Sequence, residues 1–273
     1  MTLLEIMAVL LAGVGAGMIN AVVGSGTLIT FPTLLAIGVP PVTANMSNSL
    51  GLVPGSIAGA FGYRRELVGQ RDRLLRLLAF SSVGGVVGAV LLLVLPPGAF
   101  EAVVPVLILL GIALVVLQPW LSRAVAARAD RRGEPVPADG TDRGPTAMER
   151  SWWVPIAVLG TGVYGGYFGA AQGVLLMGVL GIGVTDALQR LNGVKNVLVA
   201  VVNAIAGLVF VLVAELGLFG AEARVDWLLV LLIAVGAVCG GLLGAAVGRK
   251  LPPLALRAVI VTVGLVAVVT LVV

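Results

Sequence analysis

The chain has 273 residues, 59% of them hydrophobic and 11% charged, with a formal net charge of +4 and no histidine. A soluble domain carries about 25% charged residues, so this chain has too little polar surface for a water-soluble globule and reads as a polytopic protein of the lipid bilayer. The missing histidines remove the commonest metal ligand and the usual neutral-pH proton shuttle; the small positive charge lies mostly in loops and does not indicate nucleic-acid binding.

The first apolar stretch runs from Leu3 to Ile37 and is interrupted at Gly24-Ser25-Gly26. As one straight helix its 35 residues would extend about 52 Å, against a hydrocarbon core about 30 Å thick. It must break, tilt or fold back, and the Gly-Ser-Gly is the natural break. Its first residues lack the basic region of a signal peptide, Glu5 being the only charge, and match a segment further along. They are read as a retained span. Further apolar stretches run from Pro41 to Tyr63, Leu74 to Leu95 and Ala99 to Leu117. A polar, Pro- and Gly-marked segment follows at 120–150 and is expected to be a flexible cytoplasmic linker. The second half begins with a stretch from Trp152 to Ile182, broken around Gly169-Ala170-Ala171-Gln172-Gly173. Stretches from Ala187 to Ala214, Trp227 to Val247 and Leu254 to Val273 complete it. Cys239, the single cysteine, excludes an intrachain disulfide and is expected to be a small packing residue.

The two halves repeat one another. Gly15, Gly17, Gly24, Gly38 and Gly62 recur at an offset of 145, as Gly160, Gly162, Gly169, Gly183 and Gly207. Gly84, Gly85, Gly88, Ala89 and Leu95-Pro96-Pro97 recur at an offset of 156, as Gly240, Gly241, Gly244, Ala245 and Leu251-Pro252-Pro253. The expected organisation is a transmembrane repeat at 1–119, the linker at 120–150 and a second transmembrane repeat at 151–273. Basic residues crowd the loop from Arg64 to Arg73 and the segment from Arg123 to Arg132, which places both in the cytoplasm. The loop corresponding to the first of these contains Glu215, Glu222, Arg224 and Asp226 and is net acidic. That reversal predicts repeats of inverted topology, four or five segments each, with eight or ten crossings overall. The predicted fold is therefore an all-α integral membrane protein built from two homologous repeats, each with a broken first helix.

Residues 15–32, with Leu34-Leu35 and Gly38-Val39-Pro40-Pro41, resemble the opening motif of the TauE/SafE (sulfite exporter) family. In the second half, residues 162–173 and Asn192-Gly193-Val194-Lys195-Asn196 also fit that family. Where the family usually has a Gly-x-Gly-Gly-Gly run, this chain has Gly24-Ser25-Gly26-Thr27. The resemblance implies a cell-membrane permease for small, often sulfur-containing anions such as sulfite or sulfonates, without naming the substrate or the direction of transport.

The residues themselves point to an anion site. Lys195 lies inside the Ala187–Ala214 stretch, where a charge costs about 2.5–3.5 kcal/mol and usually faces a cavity or a partner; the alternative is that it snorkels to the interface. Arg190, nearer the end, reads as an interfacial anchor. A helix restarting after Gly24, Ser25 and Gly26 presents unpaired backbone N–H groups and a positive dipole end, with hydroxyls from Ser25 and Thr27. Gln172 stands beside the matching break at Gly169. Asn20, Asn45, Asn48, Asn192 and Asn196 add polar groups within apolar stretches, Asn192, Lys195 and Asn196 sharing one helix face. Asn45 and Asn48 could instead cap a helix, and Asn203 reads better as a packing hydrogen bond. Tyr164 and Tyr167 could face the cavity or the lipid interface. Small-anion transport by alternating access is the expected function, with the bilayer as the other partner, homo-oligomerisation left open, and no cofactor or metal. A membrane-embedded enzyme would need a nucleophile, metal cluster or carboxylate pair at membrane depth, and a channel would need a continuous polar lining; neither stands out.

Overall fold

The computed structural model describes residues 1–131, 152–184, 186–217, 224–247 and 253–272. They form ten helices and, among the described residues, no strand: α1 (Leu3–Val22), α2 (Thr27–Ala36), α3 (Pro41–Gly62), α4 (Arg71–Val94), α5 (Pro97–Arg131), α6 (Trp153–Tyr167), α7 (Gln172–Gly183), α8 (Leu188–Leu216), α9 (Trp227–Val247) and α10 (Pro253–Val272). Five carry segments long and apolar enough to cross a membrane: α1, α4, α5 as far as Leu121, α8, and α9 as far as Gly244. Large apolar side chains such as Leu11, Leu91, Val106, Leu208 and Val235 are exposed on the outer faces, where lipid rather than water is their solvent. This is a multi-pass membrane protein.

Both long first stretches break where expected. α1 stops at Val22 and α2 begins at Thr27; α6 stops at Tyr167 and α7 begins at Gln172. α5 departs from the sequence expectation. It continues past Leu117 to Arg131, so residues 120–131, assigned above to the linker, are helical. Apolar side chains and helix-forming Ala and Arg run on through this stretch, and Pro119, just before it, stays within the helix. The rest of the expected linker, 132–150, lies outside the described residues. Cys239 is also placed differently: it is exposed on α9 rather than packed inside.

The helices pair across the halves. α1 packs along α9 and α6 along α4; α3 lies on α9 and α8 on α4; α2 touches α10 and α7 touches α5. Each contact has a counterpart with the halves exchanged, while α3 meets α8 and α5 meets α10 directly. The repeated glycines make the exchange exact to the residue. Gly84 and Gly88 lie against the carbonyls of Leu159 and Val163, and Gly240 and Gly244 against those of Val14 and Met18. Gly162 lies against Ser81 and Gly17 against Ala237. The sequence offsets of 145 and 156 carry one set onto the other. Without side chains, these glycines let backbones touch, which is how helices associate where lipid removes the hydrophobic drive.

The equivalent helices α3 and α8 run antiparallel. The beginning of α3 is tied to the segment after α8, the Asp226 amide donating to Ser47 Oγ at 2.9 Å. The start of α4, just after α3, is tied to the segment before α8, with Arg73 Nη1 2.6 Å from Asp186 Oδ2. The eleven residues that separate the two offsets are mostly helical, α8 having 29 residues against 22 in α3.

Candidate functional site

Each break is made by a glycine in left-handed conformation, Gly24 at φ 85° and Gly169 at φ 77°. An L side chain there would meet its own backbone, so glycine ends the helix cheaply. The hydrogen bonds repeat too. Val23 and Gly24 amides donate to the Ile19 carbonyl at 2.7 and 3.0 Å, and Phe168 and Gly169 amides donate to the Tyr164 carbonyl at 2.9 and 3.1 Å.

The two breaks touch. The Gly173 amide, in the first turn of α7, donates to the Gly24 carbonyl at 3.0 Å. A Cβ on Gly24 would sit 2.5 Å from Gly173 Cα, and one on Gly169 would sit 3.9 Å from Thr27 Oγ1 and 4.0 Å from Asn203 Oδ1. Two half-length helices, of 10 and 12 residues, therefore start side by side. The short connections carry α2 to the beginning of α3 and α7 to the beginning of α8, at opposite ends of the antiparallel pair. Among the described residues, the amides of Ser25, Gly26, Ala170 and Ala171 donate no hydrogen bond. Two buried side chains here also lack partners: Ser25 Oγ, and both amide atoms of Gln172, the first residue of α7. Uncompensated buried polar groups are expensive, so their clustering at two helix starts makes this the candidate site.

Thr27 accepts from Asn48 Nδ2 at 3.4 Å, and Thr30 donates to Asn48 Oδ1. Asn48 thus ties α2 to α3 instead of capping its own helix. Asn20 Nδ2 donates to Ser56 Oγ at 2.8 Å, tying α1 to α3. A buried aromatic group flanks the centre, with Phe31 of α2 edge-on to Phe168 at 5.1 Å and Phe100 edge-on to Tyr167 at 5.6 Å. Tyr164 spans the second break, donating to the Ala170 carbonyl at 2.6 Å.

Lys195, Asn192 and Asn196 come together as one group, on the last turn of α1. Lys195 is fully buried, its Nζ 3.4 Å from the Asn20 carbonyl and 3.5 Å from that of Ala21. Asn192 and Asn196 donate to the Ala21 carbonyl at 3.4 and 3.2 Å. The break strands these carbonyls without amide partners, and a cation suits the negative end of a helix. Lys195 does not snorkel. Asn45 does the matching work in the other half, its Nδ2 donating to the Tyr167 carbonyl at the end of α6, 2.9 Å away. Each broken helix is thus closed from the opposite half. Arg190 pairs with Asp186 at 2.9 Å, beside Arg73.

Sequence reasoning missed Thr30, Ser56 and Asp186. Thr30 carried a usable signal, lying three residues after Thr27 on the same helix face. Two described cavities, one of about 320 Å³ lined by Glu215, Arg224 and Trp227 among others and one of about 350 Å³ between α3 and α8, do not touch the breaks. No group of metal-ligating side chains occurs among the described residues.

The model of the family described as "Sulfite exporter TauE/SafE" matches residues 9–271. Among curated proteins, "Probable membrane transporter protein YfcA" of Escherichia coli K12 is 28% identical over 162 residues, which are 58% of this chain and 52% of that protein. "Probable membrane transporter protein ORF9" of a Sinorhizobium species is 36% identical over 100 residues, 36% of this chain and 38% of that protein. A "Probable membrane transporter protein" of Haemophilus influenzae is 32% identical over 108 residues, 39% of this chain and 42% of that protein. The chain thus aligns with about half or less of the length of these relatives. No solved structure matches it significantly.

Proposed function

Because this chain belongs to the TauE/SafE sulfite exporter family of membrane transporters, we propose that it carries a small anion, sulfur-containing as in sulfite or an organosulfonate, across the membrane by alternating access. The observation that carries this reading is the contact between the starts of α2 and α7, with Gln172 and Ser25 buried beside it and unpartnered. Paired half-helix starts near the bilayer midplane are a recurrent way to hold an anion, because their amides and dipoles face it without a mobile charge. Substrate oxygens accept from the free amides of Ser25, Gly26, Ala170 and Ala171 and from Gln172 Nε2. Gly24, Gly169 and Gly26 shape the breaks; Thr27, Asn48 and Asn20 hold the α2 side in register; Lys195, Asn192, Asn196 and Asn45 fix the ends of α1 and α6. The repeats lie inverted in the bilayer, with the Arg64–Arg73 loop in the cytoplasm, a reading supported by the antiparallel course of α3 and α8 and by the basic residues of that loop. Inversion lets the two halves exchange roles as the site opens to one face and then the other.

The test is uptake of radiolabelled sulfite and a small sulfonate into proteoliposomes, wild type beside Gly24→Val. Saturable uptake that is lost in the variant, with the variant still inserted, supports the reading. Wild-type uptake by Gly24→Val removes the break from the mechanism, and no uptake of either anion by the wild type removes the anion-carrier reading.

A further inference from the structure

The charge at the centre follows from the side chains and helix ends that meet there. Among the described residues Lys195 is the only charged side chain in the buried set. Its hydrogen-bond partners are two backbone carbonyls, whereas Arg73 and Arg190 pair with Asp186. The helix ends contribute fixed partial charges of about half a unit each, positive at N-termini and negative at C-termini. Four such ends meet here: the C-termini of α1 and α6, and the N-termini of α2 and α7. A break always places one end of each sign together, so the four cancel in pairs. What remains is the single positive charge of Lys195.

From this count we infer that the site selects monovalent over divalent anions. The inference rests on the anion-carrier reading and adds the substrate's charge class to it. A bound monoanion leaves the centre neutral. A dianion leaves one uncompensated negative charge in a water-poor interior, where like or unpaired charge is costly. The polar groups left open to a ligand agree, since the break amides and Gln172 Nε2 are neutral donors that orient oxygens without adding charge. Lys195 is here a positioning and charge-setting residue: it acts on the ligand through the field at the end of α1, with its ammonium on the Asn20 and Ala21 carbonyls.

The test uses two anions of nearly the same shape, methanesulfonate with one charge and sulfate with two, as competitors of labelled sulfite uptake in proteoliposomes of the intact protein. Methanesulfonate is expected to compete at a concentration at least about a hundredfold below that of sulfate, because mismatched charge costs several kcal/mol and each 1.4 kcal/mol is tenfold. Sulfate competing as well as methanesulfonate, or better, overturns the charge inference while leaving an anion carrier in place. Absence of sulfite uptake overturns the underlying reading and the inference with it. Two variants locate the effect. Lys195→Arg keeps the charge and should keep the preference, whereas an inserted Lys195→Met should lose competition by both anions. Retained discrimination in Lys195→Met would place the selecting charge elsewhere and overturn the assignment.

Discussion

The two breaks share a backbone and differ in chemistry. Both have a left-handed glycine, the same pair of terminal hydrogen bonds and a following half-helix. At the first, Thr27 and Thr30 are engaged by Asn48, and the preceding helix is held by a lysine and two asparagines. At the second, the residue equivalent to Thr27 is Gln172, whose side chain has no partner, and among the described residues Asn45 is the one side chain of the opposite half that hydrogen-bonds the end of the preceding helix. Symmetry is thus kept where the helices pack and dropped in the side chains at the breaks.

The largest expected effect tests the symmetric part. Gly244→Leu places a side chain where even a Cβ would be 2.7 Å from the Met18 carbonyl, and Gly88→Leu does the same against Val163 in the other half. Both should destabilise by about 3 kcal/mol or more and by similar amounts, read as equal losses of folded, monodisperse protein in detergent. A large difference between them would break the equivalence of the two packing seams.

The next effect separates function from stability. Gln172→Leu removes amide atoms that have no partner, so the melting temperature should hold or rise while transport falls at least about tenfold. Thr27→Val at the equivalent position removes an acceptor that Asn48 uses and should cost about 1 kcal/mol of stability. If Gln172→Leu instead melts early with transport intact, the asymmetry between the breaks is structural only.

A smaller effect concerns the backbone. Ala171 has φ 58°, whereas its counterpart Gly26 has φ −59°. Left-handed conformation costs a non-glycine residue about 1 kcal/mol, so Ala171→Gly should raise the melting temperature by about 2–4 °C. Gly26→Ala should lower it, because its Cβ would sit 2.5 Å from the Ala16 carbonyl. The smallest effect is that of Tyr164→Phe, which deletes the bond to the Ala170 carbonyl and should cost about 1 kcal/mol, measured by thermal unfolding in detergent.

Much of the scaffold was legible in the chain. Low charge and long apolar stretches name the solvent; Gly24 and Gly169 name the breaks; the offsets of 145 and 156 pair the helices, and the later contacts of Gly84, Gly88, Gly240 and Gly244 obey them. The end of α5 was less legible, because a polar tail on an apolar helix reads as a loop when only hydropathy is followed. The site was legible as a set of residues and not as an arrangement. Lys195 stood out by its charge, but nothing in its spacing says that it sits on carbonyls 174 and 175 residues away.

The sequence by itself determined the class of protein, the duplication and the places where helices must stop, because hydropathy, glycine spacing and backbone sterics are local properties that every copy of the pattern shares. Only the tertiary structure decided which polar groups are spent and which remain open. Each break strands carbonyls and amides of the same kind, and a buried asparagine or lysine satisfies whichever of them the folded chain brings within about 3.5 Å. That distance is set by how the helices pack, so the difference between Thr27, which is held, and Gln172, which has no side-chain partner among the described residues, exists only once they have packed.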